Sequence, residues 1–198
     1  MKFQFAFILL LYILPFHAQK TYKKEIRQYR KAYKQAFLKA GKSPLDEKGV
    51  KKICFFPIRT SYKSIGQFVR TPDAEPFQMA TYDGQTQAYV QYGTVTFTLQ
   101  GQAFQLAIYR NLQNLRMPQG RNKLFVPFTD LSNGESTYEG GRYLDLNISE
   151  IQDNQLILDF NKAYNPYCAY SDGWTCPIPP SENHLDIAVK AGEKEYKR

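Results

Sequence analysis

Histidine is almost missing from this chain. Two occur in 198 residues, and one of them, His17, sits in the apolar N-terminal run. Any Ser-His or Cys-His nucleophile would therefore rest on His184 alone. Cysteine is sparse as well: Cys54, Cys168 and Cys176, with no C-x-x-C pair. This excludes a thioredoxin-like redox motif and leaves little material for a metal centre. No G-x-S-x-G, P-loop or dinucleotide fingerprint occurs. There is no internal repeat, no low-complexity tract and no linker that would split the chain into domains.

One apolar run stands out. "MKFQFAFILLLYILPFHAQ" opens with Lys2 and is nearly uncharged to Phe16. It is too short to span a bilayer, which needs roughly 20 residues. Its order matches a secretory signal peptide over residues 1–18, with Ala18 before the cut and no lipobox cysteine. The expected location is therefore secreted or periplasmic. About 180 residues would remain, a length that suggests one domain, 19–198. The net charge is +8, or +7 without Lys2, and the excess crowds the ends: Lys20 to Lys42 at the start and "KEYKR" at the finish. On an exported protein this basic face is either a solvated helix surface or a weak contact with an anionic envelope surface. No nucleic-acid partner is expected.

"TYKKEIRQYRKAYKQAFLKAGKSP" predicts an amphipathic helix over 19–41. Tyr22, Ile26, Tyr29, Tyr33, Phe37 and Ala40 recur every three or four residues, while Gly41 and Pro44 supply stop signals. Such an aromatic stripe is expected to pack on the body of the protein. From residue 50 the period becomes two. "VKKICFFPI", "YKSIGQFVR", "LFVPF", "RYLDLNI" and "QLILDF" read as short strands. In the long central piece, Tyr89, Gln91, Gly93, Val95, Phe97 and Leu99 alternate with polar residues, and Gly101 turns the chain into Phe104, Leu106 and Ile108. Asp153-Asn154 marks a tight hairpin turn between the last two strands. The fold class is mainly β: an antiparallel β-sandwich or small barrel (50–198) with one N-terminal amphipathic helix.

"NPYCAYSDGWTCPIPPSENH" concentrates unusual residues. In an oxidising compartment Cys168 and Cys176 would pair, and closing that short loop contributes about 2.5 kcal/mol. The prolines after Cys176 stiffen the segment, and Trp174 would lie as a lid on one end of the β-domain. Cys54 would remain as a free, buried thiol. The alternative is zinc held by Cys168, Cys176, His184 and Cys54, but the spacing exceeds the usual two to four residues between paired ligands. No metal and no cofactor are expected.

The remaining polar constellation is Arg142, Asp145, Asp159, Asn161, Asn165 and Glu182. Arg142 and Asp145 are three apart on one strand and so face opposite sides. Arg142 shares its parity with Leu144 and Leu146, which points it inward, where it needs a carboxylate. Asp159 or Glu182 is the expected partner. The group is either a pocket for a small polar or anionic ligand, with Arg142, Asp159, Asn161, Asn165 and Glu182 as its contacts, or a salt-bridged plug that pins the Pro-rich tail. The loop closed by Cys168 and Cys176 is expected to wall that site. Three functions follow: a non-enzymatic binding domain, a hydrolase using Asp159 and Glu182 as acid and base, or a surface-interaction protein acting through the basic helix.

"GGRYLDL", "LDFNKAYNPYCAY" and "CPIPPSEN", with "SPLD" and "FFP" earlier, resemble an uncharacterised bacterial family known as domain of unknown function 1684. The resemblance runs from about the helix to "AGEK" at 191–194. It falls on Gly141, Arg142 and Tyr143; on Asp159, Phe160 and Asn161; on Asn165, Pro166, Cys168 and Cys176; and on Glu182 and Asn183. It departs at Ser136, where the family tends to carry an acid, and at His184. It implies a single, mostly β domain and no established activity.

Overall fold

The computed structural model describes residues 5–197, with side chains from residue 19 onward. The signal-peptide reading of residues 1–18 falls outside the described side chains. Helix α1 (Phe5–Lys39) is followed by a short α2 (Glu47–Lys52). The strands are β1 (Lys63–Arg70), β2 (Phe77–Ala80), β3 (Thr86–Leu99), β4 (Gln102–Asn111), β5 (Lys123–Asp130), β6 (Arg142–Asn147), β7 (Gln155–Asp159) and β8 (His184–Leu185). They form one curled half-barrel sheet in the order β6-β5-β4-β3-β1-β7, with β2 added beside β3 and β8 parallel to β5. Of the two architectures expected, the barrel is the closer.

The inner face of the curl carries the main core: Phe68, Val95, Phe97, Leu106, Ile108, Leu124, Val126, Phe128, Leu144 and Leu158, all buried. Each such side chain contributes roughly 1.5–3 kcal/mol relative to exposure. The outer face carries a second cluster, Met79, Tyr89, Ala107 and Tyr109 with Phe77 and Phe125. In β4, Leu106 to Tyr109 are all buried because both faces are covered.

Two turns form where the sequence places them. Gln100-Gly101 and Asp153-Asn154 adopt positive φ at both positions, the signature of type I′ turns. The first joins β3 to β4. The second closes only on Gln152 and Gln155, which exchange backbone hydrogen bonds. It does not make a hairpin of β6 and β7, contrary to expectation. Those strands pair with β5 and β1 and lie at opposite edges of the sheet. The gap between the edges is spanned by α1: a cavity of about 230 Å³ is lined by Tyr22, Ile26 and Tyr29 of the helix, Leu144 and Leu146 of β6, and Ile157 and Asp159 of β7.

Two further expectations are corrected. The odd-numbered positions of β3 do not share one face. The register against β4 shifts between Gln91 and Gly93, where two β3 residues oppose one. A bulge of this kind exchanges the faces. Tyr89 therefore joins the outer cluster while Val95 and Phe97 join the inner core. Gly93 is required there, because a Cβ would overlap the Val69 carbonyl and the Phe68 ring. The run expected as a strand from Val50 begins instead as α2. Asp46 caps it by accepting the Gly49 N–H at 2.7 Å. Val50 and Ile53, three apart, bury against Phe37 of α1. Only Phe55 makes a β-bridge, to Glu193.

The aromatic stripe of α1 packs on the body as expected, with Tyr22, Ile26 and Phe37 buried. Its basic face is not wholly solvated. Arg30 donates to the carbonyls of Phe56 (2.9 Å) and Asn161 (3.2 Å), and Lys34 donates to that of Ile53 (2.7 Å).

Candidate functional site: an aromatic cavity on the outer face

Arg142 points inward, as its parity with Leu144 requires, and is fully buried. Its carboxylate partner is Asp130, at 2.7 Å, and not Asp159 or Glu182. The guanidinium also donates to the carbonyls of Val189 (2.8 Å), Glu193 (3.2 Å) and Ala191. Asp130 accepts the Ser132 and Val189 N–H groups at 2.9 and 3.0 Å. The guanidinium pins residues 189–193 to β5 and β6, and not the Pro-rich tail that the plug reading expected. Asp130 continues the inward stripe Leu124, Val126, Phe128. A charged residue closing an apolar stripe was the available signal for it, and sequence reasoning missed it.

The other candidate residues fall in separate networks. Asp159, at the end of β7, accepts the Tyr22 hydroxyl at 3.0 Å and the Asn161 backbone N–H at 3.1 Å. Burial first, then the Asp159 charge, pushes the Tyr22 hydroxyl well above its ordinary range. Asn161 clamps the Arg59 backbone, donating at 2.8 Å and accepting at 3.0 Å. Asn165 is buried, donating its backbone N–H to Glu193 and its amide to the Lys194 carbonyl. Glu182 is exposed and accepts the Tyr109 hydroxyl at 2.8 Å. The structure thus does not bring Asp159 and Glu182 into one hydrogen-bonded group. Next to Glu182, Asn183 is inserted between strands: it bonds Ala107 on β4 and Pro127 on β5, which pair with each other only at Tyr109 and Phe125. His184 bonds Thr129 at 2.9 Å.

Cys168 and Cys176 form a disulfide, with Cα atoms 6.3 Å apart. Two of the four residues considered as zinc ligands are thereby engaged with each other. Cys54 is free but exposed, not buried. It falls after the end of α2, where the chain turns outward from Ile53. The disulfide loop is fixed to the sheet by the Thr81–Pro177 bridge and by the Tyr143 hydroxyl, which donates to the Pro177 carbonyl. Trp174 packs edge-on against Tyr167, centroids 4.8 Å apart, with the Lys42 ammonium 4.8 Å from its ring. Replacing both Cys168 and Cys176 by serine is expected to lower unfolding free energy by about 2.5 kcal/mol. Urea denaturation with Trp174 fluorescence measures it; an unchanged midpoint would contradict the role given to the loop.

The loop does wall a site, though not one containing Arg142, Asp159 or Glu182. A cavity of about 740 Å³ lies on the outer face of the sheet, between α1 (Tyr29, Tyr33, Phe37), the strands (Tyr89, Phe125, Tyr143, Asp145) and the segment from Tyr164 to Pro177. It exists because the β3 bulge turns Tyr89 outward and because Tyr143 and Asp145 alternate with the inward Arg142 and Leu144. Its aromatic rings form a chain: Tyr89 on Phe125 (5.7 Å), Phe125 on Tyr143 (4.8 Å), Tyr143 on Tyr164 (5.8 Å) and Tyr164 on Tyr33 (5.7 Å). Asp145 accepts the Tyr164 hydroxyl at 2.9 Å. Its carboxyl meets solvent through the cavity yet is walled by protein, and that burial raises its pKa against the opposing effects of Tyr164 and Lys123. The Tyr29 hydroxyl is pushed up to about 12, by burial first and then by Asp145.

Behind the wall lies Glu193, fully buried and not foreseen from sequence beyond its place in "AGEK". It accepts the hydroxyls of Tyr33 (3.0 Å) and Tyr170 (2.7 Å) and the Asn165 N–H (3.1 Å). Burial raises its pKa to about 7 despite these donors and the neighbouring Arg142.

No curated protein matches the chain. Among solved structures, an uncharacterized protein of Haloarcula marismortui, determined by solution NMR, is 29% identical, covering 90% of this chain and 96% of that one, with a TM-score of 0.68. The family described as "Protein of unknown function (DUF1684)" matches residues 48–194, which begin within α2 and include every strand, the Arg142–Asp130 pair, the disulfide and Glu193. The chain belongs to that family.

Proposed function

We propose that this protein is an exported, non-enzymatic binding domain that takes a small polar ligand into the outer-face cavity. The observation that carries the reading is the cavity itself: about 740 Å³, walled by three separate parts of the chain, with aromatic rings and polar side chains in its lining. That size and lining are typical of small-molecule sites. Export is supported by the apolar run before Gln19 and by the disulfide, a bond that persists in oxidising compartments. The carboxylate-pair hydrolase has less behind it, since Asp159 and Glu182 are each committed to other partners. Lys20, Lys24, Arg27 and Lys31 stand exposed on α1 and are the residues through which a weak, salt-sensitive contact with an anionic surface would run.

A thermal-melt screen against small solutes tests the reading, run in parallel on Ala36→Trp. Ala36 is an exposed helix residue at the cavity, so the indole fills the space without disturbing the core. At a hundredfold excess over Kd a ligand stabilises by about 2.7 kcal/mol. The expected result is a solute that raises the melting temperature of the native protein and not of the variant. A solute that stabilises both equally binds elsewhere and overturns the assignment.

A further inference from the structure

The cavity's hydrogen-bond inventory restricts what it can recognise. Its tyrosine hydroxyls are almost all spent inside the protein. Tyr29 donates to the Lys162 carbonyl at 3.2 Å, Tyr89 to Gln87 at 3.4 Å and Tyr143 to the Pro177 carbonyl. Tyr33 is engaged with Glu193 and Tyr170, and Tyr164 with Asp145. Thr175 donates to Asp83, and the Gln87 amide to the Thr175 carbonyl. What these walls still offer a ligand is aromatic surface, the Tyr167 hydroxyl and one carboxylate: Tyr164 donates to Oδ1 of Asp145, and among the described residues no donor is bonded to Oδ2. Lys123, Gln113 and Asn114 also line the cavity and, like Asp145, are exposed. No ion pair joins Lys123 to Asp145 within 4.0 Å, since the described residues contain one ion pair and it is Arg142–Asp130.

Ring faces carry the negative end of the aromatic quadrupole and attract cations, most strongly where water is partly excluded. An anion would meet the Asp145 carboxylate and find few free donors. A neutral polyol would find rings to stack on but few unspent donors along the tyrosine walls. The adjoining smaller cavity shares Tyr29 and Asp145 and adds Glu25, Glu150 and Asp159 against Lys63 and Lys162. Within the larger cavity Lys123 balances Asp145, so the acidic excess lies on this smaller side, in a chain whose net charge is +8.

Building on the binding reading above, we propose that the ligand is a small organic cation, an alkylated or quaternary ammonium group seated against Tyr143, Phe125 and Tyr164 with Asp145 as its counter-ion. The fit is one of charge and surface: an alkylated ammonium needs no hydrogen-bond acceptor network, only a carboxylate and aromatic surface, and both line the cavity.

Trp174 is the sole tryptophan and lines the cavity, so its fluorescence reports occupancy directly. The probes are choline, its neutral carbon isostere with a tert-butyl group in place of the trimethylammonium, and the matching tert-butyl carboxylate. Choline is expected to bind about tenfold or more tighter than the isostere, equivalent to about 1.4 kcal/mol, and the carboxylate not to bind. In Asp145→Asn, whose amide oxygen still accepts the Tyr164 hydroxyl, choline's advantage should shrink to the roughly two- to fivefold that the ring faces alone supply. If that variant fails to fold, the charge series on the native protein still decides. Equal binding of choline and the isostere to the native protein, or preference for the carboxylate, overturns the cation assignment. So does silence from all three probes where the melt screen yields some other cavity-dependent solute. A screen that finds no solute sensitive to Ala36→Trp overturns the binding reading itself.

Discussion

Arg142→Met is expected to lower unfolding free energy by about 3–5 kcal/mol, the cost of leaving Asp130 as an unpaired buried charge. Three backbone carbonyls, of Val189, Ala191 and Glu193, lose their donor at the same time. A typical domain is stable by only 5–15 kcal/mol, so the variant will stand near the edge of folding. Arg142→Lys should be nearly as damaging, because a single ammonium cannot reach acceptors spread from Asp130 to Glu193. Asp130→Asn tests the same pair from the other side and should fall in the same range. Urea denaturation followed by circular dichroism measures all three. A loss below 1 kcal/mol in Arg142→Met would mean that the buried pair does not hold the C-terminal segment in place.

The second large effect concerns pH. Glu193 has a pKa of about 7 in the folded protein against an ordinary value of 4.5. Between those values the native state keeps a proton that the unfolded chain has released. Stability from this group is therefore fully present below about pH 4.5 and is lost as pH rises through 7, by about 3 kcal/mol in total. Asp145, also raised by burial, acts in the same direction. Melting temperature should fall between pH 5 and pH 8, with Trp174 and the surrounding tyrosines reporting the transition. Glu193→Gln, neutral throughout, should flatten most of that slope. A slope unchanged in Glu193→Gln, or one of opposite sign in the native protein, would contradict the buried-acid account.

The fold was largely legible because its strands obey local rules. Two-residue alternation marks β6 and β7, short apolar-rich runs mark β4 and β5, and the Gln100-Gly101 turn is where its glycine places it. The errors share a cause: each needed a partner distant in sequence. Nothing near Gly93 announces a bulge, since the extra residue is defined only against Tyr109 and Ile108 of β4. The Asp153-Asn154 turn was correctly placed but joined to the wrong strands, because sheet order is set by packing and not by succession. α2 was lost because six residues are too few for periodicity to speak, although Asp46 and the Val50–Ile53 spacing were there to read.

The site divides in the same way. The disulfide and the loop it closes were legible from compartment and spacing. Arg142's inward direction was legible from parity, but its partner Asp130 was overlooked in favour of Asp159 and Glu182, whose true partners Tyr22 and Tyr109 lie 137 and 73 residues away. Asp145 was placed on the opposite face from Arg142, which is where the cavity lies, yet nothing in one strand could show that α1 and the Trp174 loop would close over it.

The measurement that bears most directly on the cavity as the functional site is NMR chemical-shift mapping of the native protein with a stabilising solute. The account predicts that perturbed resonances cluster on the Trp174 indole and on Tyr143, Asp145 and Tyr164, with Ala36 on the facing helix. Perturbations centred instead on the exposed Ile65–Ile157 pair of β1 and β7, with the Trp174 indole unmoved, would contradict it.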